Sequence, residues 1–316
     1  MDFGLAANPE RSIIGDSWKG GVENMVQIAP VKNEEDYQLL LSVESLICKE
    51  TPERWHCHFG GIGIDRYFFG DKNDEIYEYG KLIYLENNLV GYALVYLEDY
   101  KYNMWLLSGF REQIVEIVPQ IEKLFKKGQS IRTVCNDKLV KKQLIELGYV
   151  SDGEETFSAS IDLNNYRPEE VQWDLEVIRI ISEQDIDERV KYSSLPTGSM
   201  ITKDRFEKYL NTYDAIHVID FVVVDKVAGN LMGYYSWWLD EESNTAMLNP
   251  VACIHVHRRK GTSARAIQYG LNILKERGFH YAYVDTSANN EAAIGLYSSV
   301  GFKKCIDVIA YSKVIK

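Results

Sequence analysis

The run His257-Arg258-Arg259-Lys260-Gly261-Thr262-Ser263 sets basic side chains beside a glycine and small hydroxyl residues. An apolar stripe at helical spacing, Ala264, Ile267, Leu271 and Leu274, follows it. A basic turn that opens a helix is an anion site, because free N–H groups at the helix start, the macrodipole and the charges of Arg258, Arg259 and Lys260 all attract phosphate. Gly261 has no side chain to keep a phosphate away from the backbone, and Thr262 and Ser263 supply N–H donors at the helix start. A nucleotide P-loop is excluded by residue order: it requires Gly-Lys-Ser/Thr, and here Lys260 precedes Gly261. Downstream, Asn289 or Asn290 can cap a second helix with Ala293, Leu296 and Val300 as its apolar stripe, ended by Gly301. That helix carries the phenol of Tyr297.

Arg258-x-x-Gly261-x-Ser263, followed by Asn290-x-x-Ala293-x-x-Leu296-Tyr297 and then Gly301-Phe302, resembles the GNAT superfamily of acyl-CoA-dependent N-acetyltransferases. The resemblance implies acetyl-CoA as co-substrate, its pyrophosphate held at Arg258, Arg259, Lys260, Gly261, Thr262 and Ser263. Ser263 departs from the family pattern, where glycine or alanine is usual; serine is also small and donates well at a helix start. The preceding strand-like run, Met247 to Ile254, is interrupted by Pro250, which suits an edge or a bulge. In the family this strand is splayed from its neighbour. The resemblance therefore assigns the backbone around Cys253 and Ile254 to the pantetheine arm and to polarising the thioester carbonyl. By the same resemblance Tyr297 protonates the CoA thiolate as general acid, and Asn290 hydrogen-bonds pantetheine. Both also have plain structural readings, core packing for Tyr297 and helix capping for Asn290.

No general base stands out. Asp240, Glu241, Glu242 and Asp285 are candidate carboxylates, each more readily read as a solvated charge. Tyr234, Tyr235, Trp237 and Trp238 could wall an acceptor pocket, but alternate residues of a strand face opposite sides, so some of them belong to the core. His56-Cys57-His58 suggests a metal. Adjacent residues of one segment cannot all converge on one ion, and no second Cys/His cluster completes the ligand set, so no metal site is expected.

The elements around these residues repeat. Leu82–Leu85, a turn at Asn87-Asn88 and Leu89–Val95 form one hairpin pattern, and Phe221–Val224, a turn at Gly229-Asn230 and Leu231–Tyr235 form another. Each is followed by an amphipathic helix, a strand, a short helix and a Gly-aromatic pair, Gly148-Tyr149 or Gly301-Phe302. The expectation is two tandem GNAT-like α/β domains, each a mostly antiparallel mixed sheet flanked by helices. A first domain is expected over 25–165, a polar linker over 166–171 and a catalytic domain over 172–316, with 1–24 as an extension. Aligning the Gly-aromatic pairs puts Asp137 at the place of Asn290 and Leu144 at the place of Tyr297. The first copy thus keeps a cap and loses the phenol, and is expected to be degenerate, shaping the acceptor pocket or stabilising its neighbour.

At 316 residues the chain is long enough for two cores. Its net charge of −12 argues against nucleic acid and favours a cationic ligand. No stretch approaches a membrane span, and the opening residues carry no secretory signal. The odd number of cysteines, 5, with no close pair, reads as reduced thiols in a cytoplasmic protein. The expected activity is N-acetyl transfer from acetyl-CoA to a primary amine of a small cationic molecule. A non-catalytic acyl-CoA or metabolite binder, and an acetyltransferase of protein amines, remain as alternatives.

Overall fold

The computed structural model describes residues 26–50, 58–68, 76–173, 175–197, 202–212 and 214–316. The expected extension and two members of the His-Cys-His run, His56 and Cys57, lie outside them. In chain order the elements are β1 Val26–Pro30, α1 Glu34–Glu50, α2 Phe59–Phe68, α3 Ile76–Tyr79, β2 Gly80–Leu85, β3 Asn88–Tyr96, β4 Lys101–Leu106, α4 Ile114–Glu122, β5 Ser130–Cys135, α5 Lys138–Glu146 and β6 Val150–Asp162. There follow β7 Glu176–Ile180, α6 Ile186–Thr197, α7 Lys203–Leu210, β8 Val218–Asp225, β9 Leu231–Asp240, β10 Thr245–Cys253, α8 Thr262–Glu276, β11 Tyr281–Ser287, α9 Glu291–Ser299 and β12 Lys303–Val314. The fold is mixed α/β, as the repeated pattern predicts.

The chain divides into two compact units. The first takes in the described residues of 1–50, 76–153 and 309–316, and the second those of 51–75 and 154–308. The C-terminal strand is therefore shared, and α2, from the first half of the sequence, belongs to the second unit. Among the described residues no helix is long and apolar enough to cross a membrane.

In the second unit the strands run β6-β11-β10-β9-β8-β7. Here β11 pairs antiparallel with β6, β10 with β9, β9 with β8 and β8 with β7, whereas β10 and β11 are parallel. All 10 residues of β9 are buried, because helices cover both faces of the sheet. Tyr235, Trp237 and Leu239 share one core with Ala266, Ile267, Leu271 and Leu274 of α8 and with Tyr297 and Val300 of α9. Tyr234 lies on the other face with Val222, Val224 and Tyr192 of α6. The aromatic run of β9 is thus split by strand alternation between two cores.

The first unit orders its strands β1-β2-β3-β4-β5 and adds 309–314 of β12 antiparallel to β5. Its core joins Ile83, Val90, Ala93 and Leu106 to Ile114, Ile117, Val118 and Ile121 of α4. The two units share a detail of register. Gly91 stands opposite Leu106, and Leu107 N–H donates to Val90 O at 3.0 Å. Gly233 stands opposite Cys253, and Ile254 N–H donates to Met232 O at 2.9 Å.

Candidate functional site

The β10–β11 ladder holds only over Thr245–Met247 against Tyr281–Tyr283. Beyond it β11 pairs with β6 as far as Ser287, while β10 shifts register against β9 between Leu248 and Val251. The two parallel strands part there. The position of Pro250 explains the break: it has no N–H to give to a ladder, and it falls within the bulge.

Backbone orientation past the bulge follows from one hydrogen bond. Ile254 N–H to Met232 O makes Cys253 and Gly233 a non-hydrogen-bonded pair of the antiparallel ladder, so the Cys253 N–H and C=O point away from β9 and into the gap. Of the two residues expected to present backbone donors, Ile254 has its N–H committed to β9 and Cys253 faces outward. The Cys253 carbonyl accepts from Arg258 Nε at 3.1 Å, which leaves the N–H as the donor directed into the gap.

Next comes the basic turn. Arg258 N–H returns to His255 O and Arg265 N–H to Gly261 O. Between them the N–H groups of Arg259, Lys260, Gly261, Thr262, Ser263 and Ala264 donate to no protein group among the described residues. Gly261 caps α8 with φ 77°, and Arg259 shares the left-handed region at φ 63°. Arg258, Arg259, Lys260 and Gly261 are exposed, whereas Thr262 is buried. The geometry is a concave row of donors ringed by cations, an anion cradle.

Residues that sequence reasoning missed hold this turn in place. Arg265 donates through Nη1 to Lys260 O at 3.1 Å and through Nη2 to Glu176 of β7, and its guanidinium lies 5.6 Å from the Trp173 ring. The buried Glu176 carboxylate also accepts from Thr262 Oγ1 at 3.1 Å. Ser263 is 2.9 Å from the Tyr235 hydroxyl, so the residue that departs from the family pattern ties the turn to β9. Neither Glu176 nor Tyr235 carries a local sequence signal for this role, since both act across the fold.

Asn290 caps α9: its Oδ1 accepts from Ala293 N–H at 3.2 Å and its Nδ2 donates to Thr286 Oγ1 at 3.0 Å. One amide hydrogen and one lone pair stay available to a ligand. Tyr297 is the buried residue of α9, edge-on to Phe302 with ring centroids 6.2 Å apart. Burial first, and the Asp285 carboxylate second, push its phenol above the usual value, so it keeps its proton at neutral pH. Among the described residues its hydroxyl makes no hydrogen bond. Of the candidate bases, Asp240 is committed to a turn, accepting from Glu242 N–H, Ser243 N–H and Ser243 Oγ, and Glu241 and Glu242 are exposed.

His58 is fully buried, and both of its nitrogens are engaged. Nδ1 accepts from Gly60 N–H at 3.1 Å, which puts the ring proton on Nε2, 3.1 Å from Thr245 Oγ1. Thr245 then donates to Ser243 at 2.6 Å, and Ser243 to Asp240 at 2.5 Å. Burial, partly offset by Asp240, holds the imidazole down to about 4 from 6.5. An unfolded chain takes up this proton as pH falls through about 6.5, and the folded protein only near 4. Stability is therefore lost across that window, by about 3 kcal/mol. Denaturant titrations between pH 7 and 4.5 are expected to show a flatter pH slope for His58→Gln than for wild type; equal slopes would contradict a neutral buried His58.

The corresponding places in the first unit differ. Its β4–β5 strands pair only at Lys101–Arg132. The residues before α4 form a 3-10 turn, Ser108–Gln113, and the Glu50 carboxylate accepts from Ser108 N–H at 2.7 Å. Asp137 caps α5 as Asn290 caps α9, and Leu144, the residue aligned with Tyr297 in the sequence, is buried.

The fold recurs in solved structures. The chain matches a tandem GNAT protein from the clavulanic acid biosynthesis pathway at TM-score 0.60 and 10% identity, over 92% of this chain and 98% of that one. This is a GNAT fold. A GCN5-related N-acetyltransferase from Sphaerobacter thermophilus matches at TM-score 0.57 and 13% identity, over 91% and 95% of the two chains. A GNAT-family acetyltransferase from Colwellia psychrerythraea matches at 0.56 and 14%, over 90% and 99%. Within the sequence, residues 185–302 match the acetyltransferase (GNAT) family, which uses acetyl-CoA as co-substrate. No curated protein matches the sequence.

Proposed function

We propose that this chain transfers an acetyl group from acetyl-CoA to a primary amine, with 172–316 as the catalytic domain, of which 172–308 lie in the second unit, and α2 as an added element. The observation that carries this reading is the row of unpaired N–H groups from Arg259 to Ala264, directly after a strand whose Cys253 N–H faces the β10–β11 gap. The cradle suits a pyrophosphate, and the gap suits an extended amide-bearing arm such as pantetheine.

Acetyl-CoA supplies the acyl group as a thioester. The Cys253 N–H is the donor for the carbonyl oxygen as it gains charge. The ammonium gives one proton to solvent, and the amine nitrogen bonds to the carbonyl carbon; as the C–S bond breaks Tyr297 gives its proton to the sulfur, and the second proton leaving the nitrogen restores the phenol, directly or through solvent. Asn290 steadies the arm. The excess of carboxylates in the chain supports a small cationic acceptor, and the free thiols of Cys48, Cys135, Cys253 and Cys305 support a cytoplasmic setting. The first unit, with Glu50 on the Ser108 amide and Leu144 in place of the phenol, acts as a non-acetylating partner.

The test is release of free CoA from acetyl-CoA across a panel of primary amines, with the acetylated product identified by mass. Turnover with a small amine supports the reading. Turnover only with protein substrates would move the acceptor to protein amines, and tight binding without turnover would make the chain an acyl-CoA binder.

A further inference from the structure

Helix α2 comes from the first half of the sequence, yet it packs within the second unit against β9, β10 and α7. Its fit on β9 has no tolerance. A Cβ on Gly60 would lie 2.5 Å from Trp238 Cβ, and one on Gly63 would lie 2.5 Å from Trp238 Cζ3. The helix thus lies along the indole at a distance only glycine permits. Its start is fastened by His58, which bonds Thr245 at the beginning of β10. Trp238, fully buried, donates its Nε1–H to Asn249 O at 2.7 Å.

That carbonyl is placed where β10 changes course. Asn249 and Pro250 are the residues caught between the Leu248–Trp237 and Val251–Tyr235 pairs, and the ladder to β11 has ended at Met247. A carbonyl at such a point must be satisfied by something, and pairing with β11 would close the gap. The indole N–H satisfies it from the β9 side instead. The chain from α2 to Trp238 to Asn249 thereby fixes the bulge that turns the Cys253 amide into the gap.

We propose that Trp238, clamped by Gly60 and Gly63 of α2, is a positioning residue that holds the β10–β11 gap open for the pantetheine arm. This rests on the acetyl-CoA reading above. It also makes α2 part of the acetyl-transfer unit, so the catalytic unit is not contiguous in sequence.

The anion cradle is anchored elsewhere, by Glu176, Arg265 and Tyr235, so the two halves of a CoA molecule report on different supports. In the full-length protein the affinities of CoA and of 3′-phospho-ADP, which lacks the arm, are measured by calorimetry for wild type, Trp238→Phe and Gly63→Ala. Trp238→Phe keeps an aromatic ring and removes the N–H. Gly63→Ala keeps the N–H and displaces the ring. Both are expected to leave 3′-phospho-ADP affinity unchanged and to weaken CoA about tenfold, the weight of one buried hydrogen bond. Loss of overall stability alone would weaken both ligands together. A CoA to 3′-phospho-ADP affinity ratio equal to that of wild type in either folded variant would overturn the positioning role while leaving the acetyl-CoA reading intact. Failure of wild type to bind either ligand would overturn both.

Discussion

Tyr297→Phe is expected to lower kcat for acetyl transfer by about a hundredfold, the low end of what a positioned general acid contributes. The change removes one oxygen and nothing else. Because that hydroxyl bonds no described protein group, the core formed by Tyr297, Val300, Phe302 and α8 should survive it with a stability change below about 1 kcal/mol. Acetyl-CoA affinity should stay within about threefold of wild type, since a leaving-group acid acts on charge that appears only as the C–S bond breaks. The raised phenol pKa keeps the acid form present across the neutral range, so the wild-type rate should not fall on the alkaline side until well above pH 10 on account of this group. Steady-state kinetics, thermal melting and a binding titration on the same variant separate these effects. Unchanged kcat would assign Tyr297 to packing.

Gly261→Glu is expected to weaken acetyl-CoA binding by more than a hundredfold. Two costs combine. The backbone at φ 77° is one that side-chain-bearing residues adopt at a penalty of about 1 kcal/mol. The new carboxylate would stand among the donors of Arg259 to Ala264 and beside Arg258, Arg259 and Lys260, competing for the groups that attract phosphate. Gly261→Ala separates the terms, because it carries only the conformational cost and is expected to weaken binding about fivefold. Gly261 is exposed, and the nearest neighbour to an added Cβ is Arg265 Nη1 at 3.0 Å, outside the apolar core, so neither variant should compromise that core. Equal affinity in wild type and Gly261→Glu would remove the turn from the site.

Much of this was legible because the signals are local. The turn at Gly261, the helix stripe of Ile267, Leu271 and Leu274, the Asn290 cap and the bulge at Pro250 each depend on residues within a few positions of one another. The hairpin repeat was legible for the same reason, and Gly91 and Gly233 occupy equivalent places in the register. Contacts made across the fold were not. Ser263 reads as a departure from a motif until Tyr235 is seen beside it. Glu176 looks like an ordinary strand-start carboxylate, yet it supports the turn from a sequence distance of 89 residues through Arg265. His58 drew attention as a possible metal ligand because sequence shows its neighbours and not Thr245. The one trace of its real setting is Gly60-Gly61-Ile62-Gly63, a density of glycine that marks a close helix approach without saying against what. Burial hid the division of Tyr234, Tyr235, Trp237 and Trp238: with β9 covered on both faces, strand alternation leaves no polar face to read.

The most direct test of the account is the stoichiometry of acetyl-CoA binding to the wild-type chain. The donor row and the outward Cys253 amide lie in the second unit, while Glu50 holds the Ser108 amide at the equivalent approach in the first. Calorimetric titration is therefore predicted to give one equivalent per chain with micromolar affinity. No heat from folded protein would contradict the acetyl-CoA reading, and two equivalents would contradict the division of roles between the units.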